Sequence, residues 1–190
     1  MTSLVTVSQA LELVPAFDPN EATVDPLEGR LTNCIYRVFQ GDVVFVLRLD
    51  SSYSNIVQSN RLNELFILGE AAKAGLAPEV IFSNLEFGIL VTEYLPGQIW
   101  VETDLGDSEN IEKLADLLRS VHGLPICGYQ HDMAEIAVRY RKPLKRFSDL
   151  DTFASKCIDI IRSIRSVNMI TCCHCDVVAS NLVEGNRLQL

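Results

Sequence analysis

His174, Asp176 and Asn181 are spaced H-x-D-x-x-x-x-N, and these residue types at this spacing suit one kind of chemistry. An aspartate can accept the proton of an attacking hydroxyl, and an asparagine a few residues on can turn back to hold a magnesium ion against phosphate oxygens. The intervening residues let a loop reverse direction so that both side chains face one cavity. Leu182-Val183 can then open a strand that anchors the loop from behind. The plainer alternative is a polar turn leading into a hairpin.

Such a loop transfers nothing unless other elements bring phosphates to it. The chemistry calls for a hairpin over the phosphates, a cationic residue on a strand, a helix glutamate to orient that cation, and a strand exit whose backbone can receive a base. Cys34 to Gln40 and Val43 to Leu49 are β-rich runs joined by Gly41-Asp42, a tight-turn pair. Arg48 alternates with apolar neighbours on the second run and is placed either to reach a cleft or as an ordinary exposed strand arginine. From about Gln58 to Lys73, apolar residues at Leu62, Leu65, Phe66, Leu68, Ala71 and Ala72 give helical spacing, stopped by Gly75 and Pro78. Glu64 on this helix is the candidate partner for Arg48, with Glu70 as competitor and a solvated surface position as the bland reading of either. Glu79 to Ser83 and Gly88 to Tyr94 predict a second hairpin, broken by Leu95-Pro96-Gly97. A strand ending that way leaves backbone groups unpaired.

These segments, taken in order, carry a resemblance. Leu31-Thr32-Asn33, Val46-Leu47-Arg48, Asn63-Glu64, Gly75-Leu76-Ala77-Pro78, Leu90 to Gly97, Leu118-Arg119-Ser120-Val121-His122 and the His174 to Asn181 loop together resemble the choline/ethanolamine kinase and aminoglycoside phosphotransferase superfamily, with its protein-kinase-like fold. The likeness covers most of the chain from about Gly29 onward. The loop running into Leu182-Val183 is most similar to that of bacterial thiamine kinases, then of choline kinases. The resemblance implies ATP-dependent, Mg2+-dependent transfer of a γ-phosphoryl group to a small-molecule hydroxyl. It implies Asp176 as the base and Asn181 as a magnesium ligand. Arg48 would contact the nucleotide phosphates and Glu64 would orient it. Gly29 to Asn33 would be a shortened phosphate loop using backbone amides and the Thr32 hydroxyl, and Glu93, Tyr94 and Leu95 a hinge whose backbone binds adenine. Arginine in place of a lysine at the strand cation keeps a planar fork suited to phosphate oxygens.

One departure stands out. Members of the superfamily continue past the strand after the asparagine into an aspartate-tryptophan-glutamate type motif, whose aspartate is the main magnesium ligand, and then into helices that build the acceptor pocket. This sequence stops at Leu190, with Asn186 to Leu190 reading as the second strand of a hairpin turned at Glu184-Gly185. A domain ending in an apolar strand leaves an uncovered edge. The expectation is therefore a kinase cut short, with poor activity in these 190 residues, or a degenerate, non-catalytic kinase-fold protein that binds nucleotides or partners.

The organisation that follows is α+β. Residues 1 to 28 read as an N-terminal extension with one short apolar helix, 29 to 96 as an antiparallel nucleotide lobe with one helix, and 97 to 190 as a partial helical lobe carrying the loop. In that last part Ser108 is expected to cap one helix, and Ser148 with Asp151 to box another. A formal charge of −9 argues against a nucleic-acid partner and suits a cationic small molecule of the thiamine, choline or ethanolamine type. The cluster Arg139, Arg141, Lys142, Lys145 and Arg146 reads as a solvated loop around Pro143. Met1 to Leu13 has no basic flank and meets Glu12 early, which predicts a cytoplasmic protein with no membrane span. The six cysteines then read as reduced, core-packing thiols. Cys172, Cys173, His174 and Cys175 are contiguous, so they cannot converge on one tetrahedral zinc. The acceptor and the oligomeric state leave no mark in the sequence.

Overall fold

The computed structural model describes residues 5–30, 33–50, 61–126, 132–164 and 170–190, with the side chains of 28–30 left aside. Five strands form one antiparallel sheet: β1 (Thr23–Arg30), β2 (Asn33–Gln40), β3 (Val43–Asp50), β4 (Val80–Asn84) and β5 (Ile89–Glu93). Their order is β1-β2-β3-β5-β4. The expected hairpin turn is present, with Gly41 at φ 59, a left-handed value that glycine adopts without a steric penalty. Between β3 and β4 lies the expected helix, α2 (Arg61–Lys73). The α+β class read from the sequence is the class observed.

The residues before 29 do more than the sequence reading allowed. α1 (Val7–Leu13) is boxed at its start, Thr6 Oγ1 accepting from Gln9 N and Gln9 Oε1 accepting from Thr6 N. Ala10, Leu11, Val14 and Phe17 are buried with Val38, Leu47, Leu49, Ile89 and Val91 in one apolar cluster, so α1 covers one face of the sheet. β1 starts inside the stretch expected to lie outside the lobe. Pro26 disguises it, and Pro26 is tolerated because β1 is an edge strand with one side free of ladder bonds.

A second cluster joins the end of α2 to the loop region. Trp100, Leu117, Val121, Ala179, Leu182 and Leu188 are buried with Ala71, Leu76 and Ala77. A small sheet of β6 (Gln98–Ile99), β7 (Val183–Glu184) and β8 (Leu188–Gln189) backs the loop, in the order β6-β7-β8. The last turn is Gly185 to Arg187, one position later than expected, and β8 is two residues long. β8 is fastened to the turn after α2: Leu190 N donates to Leu76 O at 2.9 Å and Gln189 Nε2 to Gly75 O at 3.1 Å. Trp100 Nε1 donates to Glu184 Oε2 at 2.9 Å, while Lys113 Nζ from α3 (Ser108–His122) meets Glu184 Oε1 at 2.5 Å. Asp107, one residue ahead of the expected Ser108, is the residue that caps α3, accepting from Glu109 N and Asn110 N.

The Pro96-Gly97 linker runs hard against this hairpin. A Cβ on Gly97 would stand 2.7 Å from Glu184 O, a backbone atom with little freedom to retreat. Gly97→Ala is therefore expected to destabilise the fold by about 1–3 kcal/mol. Thermal unfolding checks it, and an unchanged midpoint would show that the linker can shift at no cost.

Residues 126–171 form a unit of their own. It holds α4 (Met133–Arg141), a 3-10 turn at Lys142–Arg146 and α5 (Ser148–Ser163). Asp151 does not box the start of α5; its two oxygens take Arg141 Nε at 2.6 Å and Nη2 at 3.0 Å, and Ser148 makes no capping bond. Arg141 is thus drawn out of the basic cluster and into an ion pair. The cysteines also depart from expectation: Cys34, Cys173 and Cys175 are exposed. Among the described residues no helix is long and apolar enough to cross a membrane.

Candidate active site

Strand alternation places Arg48 on the sheet face opposite Leu47 and Leu49, whose side chains pack under α1. On that opposite face Arg48 Nη1 donates to Glu64 Oε1 at 2.5 Å. Of the two helix glutamates, Glu64 meets the strand arginine, while Glu70 is taken by Lys73 at 2.5 Å. The Nε of Arg48 is buried and has no hydrogen-bond partner among the described residues. A buried donor left this way is costly unless something accepts from it.

Sequence reasoning missed two members of this cluster. Arg61, at the first turn of α2, donates through Nη1 to Glu64 Oε2 at 2.7 Å and grips Asp50, at the end of β3, with Nε and Nη2. Its Nη2 also reaches Asn33 Oδ1 at 3.1 Å. Arg61 and Glu64 are three residues apart on one helix face, the only hint the sequence offered. Asn33, expected in a phosphate loop, thus opens β2 with its carboxamide held by Arg61, and Thr32 lies outside the described residues.

Burial pushes the Glu64 carboxyl up, but hydrogen bonds and charge from Arg48, then from Arg61, outweigh it and hold the group below its ordinary value. A carboxyl lowered on folding stabilises the protein above its unfolded pKa, and that contribution fades as pH falls through the lowered folded value. We expect Glu64→Gln to lower the unfolding midpoint at pH 7, and that loss to shrink as pH falls through the lowered folded value. A loss that does not change with pH would show that Glu64 acts by shape rather than by charge.

The loop itself is anchored at one end only. Ala179 and Leu182 are buried at 2% and 0% exposure, whereas Cys173 to Val178 are exposed. Trp100 N donates to Leu182 O at 3.0 Å, tying the anchored end to β6. Asn181 Nδ2 donates to Asp176 O at 2.8 Å and to Asp176 Oδ2 at 3.3 Å, so the asparagine does turn back on the aspartate. Cys175 makes the reversal just before Asp176 at φ 62, unusual for a residue with a Cβ. Although Cys175 is exposed, partial desolvation and then the neighbouring Cys173 push its thiol pKa up, which keeps it protonated at neutral pH.

One hollow lies between the Arg48–Glu64 pair and the entry to the loop, and Asp176 and Asn181 are not among the residues that line it. A cavity of about 300 Å³ is lined by Arg48 and Glu64 from the sheet side, by Cys173 and His174 from the start of the loop, and by apolar residues such as Ala71 and Leu124. At the exit of β5, the Tyr94 ring sits under the guanidinium of Arg37 with 5.1 Å between Cζ and the ring centroid. Glu93 N donates to Glu79 O at 3.0 Å, and the chain leaves the sheet through Tyr94 and Leu95.

No protein-family model matches this chain, and no curated protein matches it in sequence. Solved structures do match. A choline/ethanolamine kinase family protein from Mesorhizobium loti superposes with a TM-score of 0.71 at 24% identity, covering 96% of this chain and 62% of its own. Choline kinase LicA from Streptococcus pneumoniae gives 0.72 at 20% identity, covering 88% and 61%. A streptomycin–ATP–APH(2")-IIa ternary complex gives 0.63 at 17% identity, covering 100% and 70%. At these identities the likeness shows the fold: the chain has the protein-kinase-like fold of choline/ethanolamine kinases and aminoglycoside phosphotransferases. It spans about three fifths of the length of the two choline-type kinases.

Proposed function

We propose that this chain carries the nucleotide-binding and catalytic-loop portion of an ATP- and Mg2+-dependent phosphotransferase whose acceptor is a hydroxyl on a small, cationic metabolite of the thiamine, choline or ethanolamine type. The observation that supports it most is a cavity lined by the Arg48–Glu64 pair on one side and by the entry to the His174–Asn181 loop on the other. The fold neighbours, one of them with ATP bound, support the same reaction class. The net charge of −9 favours a cationic acceptor.

The residues present fit a polyphosphate. Arg48 has one nitrogen fixed by Glu64 and a buried Nε with no partner among the described residues, a donor that a phosphate oxygen would satisfy. In this reading Arg48 holds the phosphates and Glu64 sets its orientation. The backbone at Glu93, Tyr94 and Leu95 receives the adenine edge. Asp176 takes the proton of the acceptor hydroxyl as that oxygen bonds to phosphorus and the bond to the departing nucleotide diphosphate breaks, while Asn181 keeps Asp176 in place. Mg2+, when bound, neutralises charge on the phosphate oxygens, and Asn181 Oδ1 would be its protein ligand. Among the described residues no three carboxylate, histidine or cysteine side chains converge for a metal.

The position of Asp176 and Asn181 outside the lining of this cavity favours, as a second reading, a degenerate kinase-fold protein that binds nucleotide without turnover. A phosphorylation screen with Mg-ATP over thiamine, choline, ethanolamine and aminoglycosides separates the two. Transfer to one acceptor supports the enzyme. Nucleotide binding that ignores Mg2+ and yields no product supports the second reading, and no nucleotide binding at all overturns both.

A further inference from the structure

We infer that Arg61 is a positioning residue for the phosphate site, acting through Glu64 on Arg48; the inference rests on the phosphotransferase reading. Glu64 divides its two oxygens between two arginines, Oε1 to Arg48 and Oε2 to Arg61. A carboxylate left to Arg48 alone would be free to close a two-toothed fork on it and turn its nitrogens away from a ligand. Arg61 prevents that by occupying the second oxygen.

Arg61 can do so because it is itself immobilised. Asp50 holds it through two nitrogens, and Asn33 accepts from one of the same nitrogens. Asp50 and Asn33 face each other across the β2–β3 ladder, so the anchor is the end of the sheet itself. The Arg61 side chain is 18% exposed, which leaves little room for another arrangement. Burial works against the Arg61 charge, but the bonds and charges of Glu64 and Asp50 outweigh it and raise its pKa further, so it stays protonated.

Charge points the same way. Arg48 and Arg61 balance Asp50 and Glu64, giving a cluster of zero net charge in which Arg48 is not neutralised by its own partner. Without Arg61 the cluster carries an excess negative charge beside the place where phosphates would sit. Arg61 therefore affects anion affinity without lining the 300 Å³ cavity.

The test is calorimetric titration of Mg-ATP, and separately of inorganic tripolyphosphate, into the parent protein, Arg48→Ala, Arg61→Ala, Arg61→Lys and the Arg48→Ala/Arg61→Ala double variant. Thermal unfolding runs alongside. Loss of one charge-assisted contact is expected to weaken both ligands about tenfold in Arg61→Ala. Arg61→Lys keeps the charge but cannot fork Asp50 while reaching Glu64, so it is expected to fold and still bind several-fold more weakly. If Arg61 works mainly through Arg48, the loss in the double variant falls well short of the sum of the two single losses, the remainder being the charge Arg61 supplies on its own. Unchanged affinity in Arg61→Lys and Arg61→Ala, with Arg48→Ala weakened, overturns the inference and leaves the phosphotransferase reading standing. So does a double variant in which the two losses add. If Arg61→Ala does not fold, the Arg61→Lys comparison decides. Parent protein that binds neither ligand, or an Arg48→Ala variant that binds both as well as the parent, overturns the reading and the inference with it.

Discussion

On the phosphotransferase reading, Asp176→Asn in the full-length protein is expected to cut phosphoryl transfer by roughly a hundred- to ten-thousand-fold, the range a positioned general base contributes, while leaving Mg-ATP affinity within about twofold. The substitution suits the local geometry. Asn181 Nδ2 reaches both the backbone carbonyl and Oδ2 of Asp176, and an asparagine at 176 keeps the carbonyl and one side-chain oxygen. The loop should therefore hold its shape, with Ala179 and Leu182 still buried beneath it. What disappears is the capacity to accept a proton from an attacking hydroxyl. A rate measured at saturating acceptor isolates that step, because a loss confined to KM would point to binding instead. If transfer by the variant matched that of the parent, Asp176 could not be the base, and the loop would be reduced to a turn that carries a hairpin.

How far the sequence led can be judged residue by residue. β-rich runs and turn pairs are enough for β2, β3, β4 and β5; β4 shows a period of two in its burial, whereas β5 is buried at four successive residues and reads from its apolar run and flanking turns. β1 escaped, since an edge strand tolerates Pro26 and exposed Asp25, and neither reads as sheet. Asp176 and Asn181 were legible because their spacing lies within one loop. The pair Arg48 and Glu64, 16 residues apart, could be guessed only by asking what a strand cation requires. Arg61 with Asn33 is a contact across 28 residues, and Trp100 with Glu184 across 84. No local pattern encodes such partners; they are set by which ends of β2, β3 and α2 meet, and by how the β7–β8 hairpin lies against β6. Glu184 at the turn of a hairpin reads as a solvated residue until the fold brings Trp100 and Lys113 to it, after which hydrogen bonds from Lys113 and then Trp100 hold its carboxyl below the ordinary range.

Arg48→Ala is the counterpart on the nucleotide side, with an expected loss of about 2–3 kcal/mol in Mg-ATP binding, some thirty- to a hundred-and-fifty-fold in dissociation constant. Two effects add in the same direction. The variant lacks the buried Nε that a phosphate oxygen would satisfy, and it leaves Glu64 with only Arg61 as partner, so the carboxylate presents an uncompensated charge to an incoming polyanion. Charge repulsion makes the second part salt-dependent, so the gap between variant and parent should narrow as ionic strength rises from about 0.05 to 0.5 M. Arg48→Lys tests the geometry. An ammonium restores the charge but offers no planar fork, so it should recover part of the affinity and most of the salt dependence of the parent. Adenosine, which has no phosphates, should bind parent and variant alike if the base is received by the backbone at Glu93 to Leu95. Were adenosine weakened as strongly as ATP, the effect of Arg48 would lie in the packing of the sheet against α2, and the strand cation would have been misassigned.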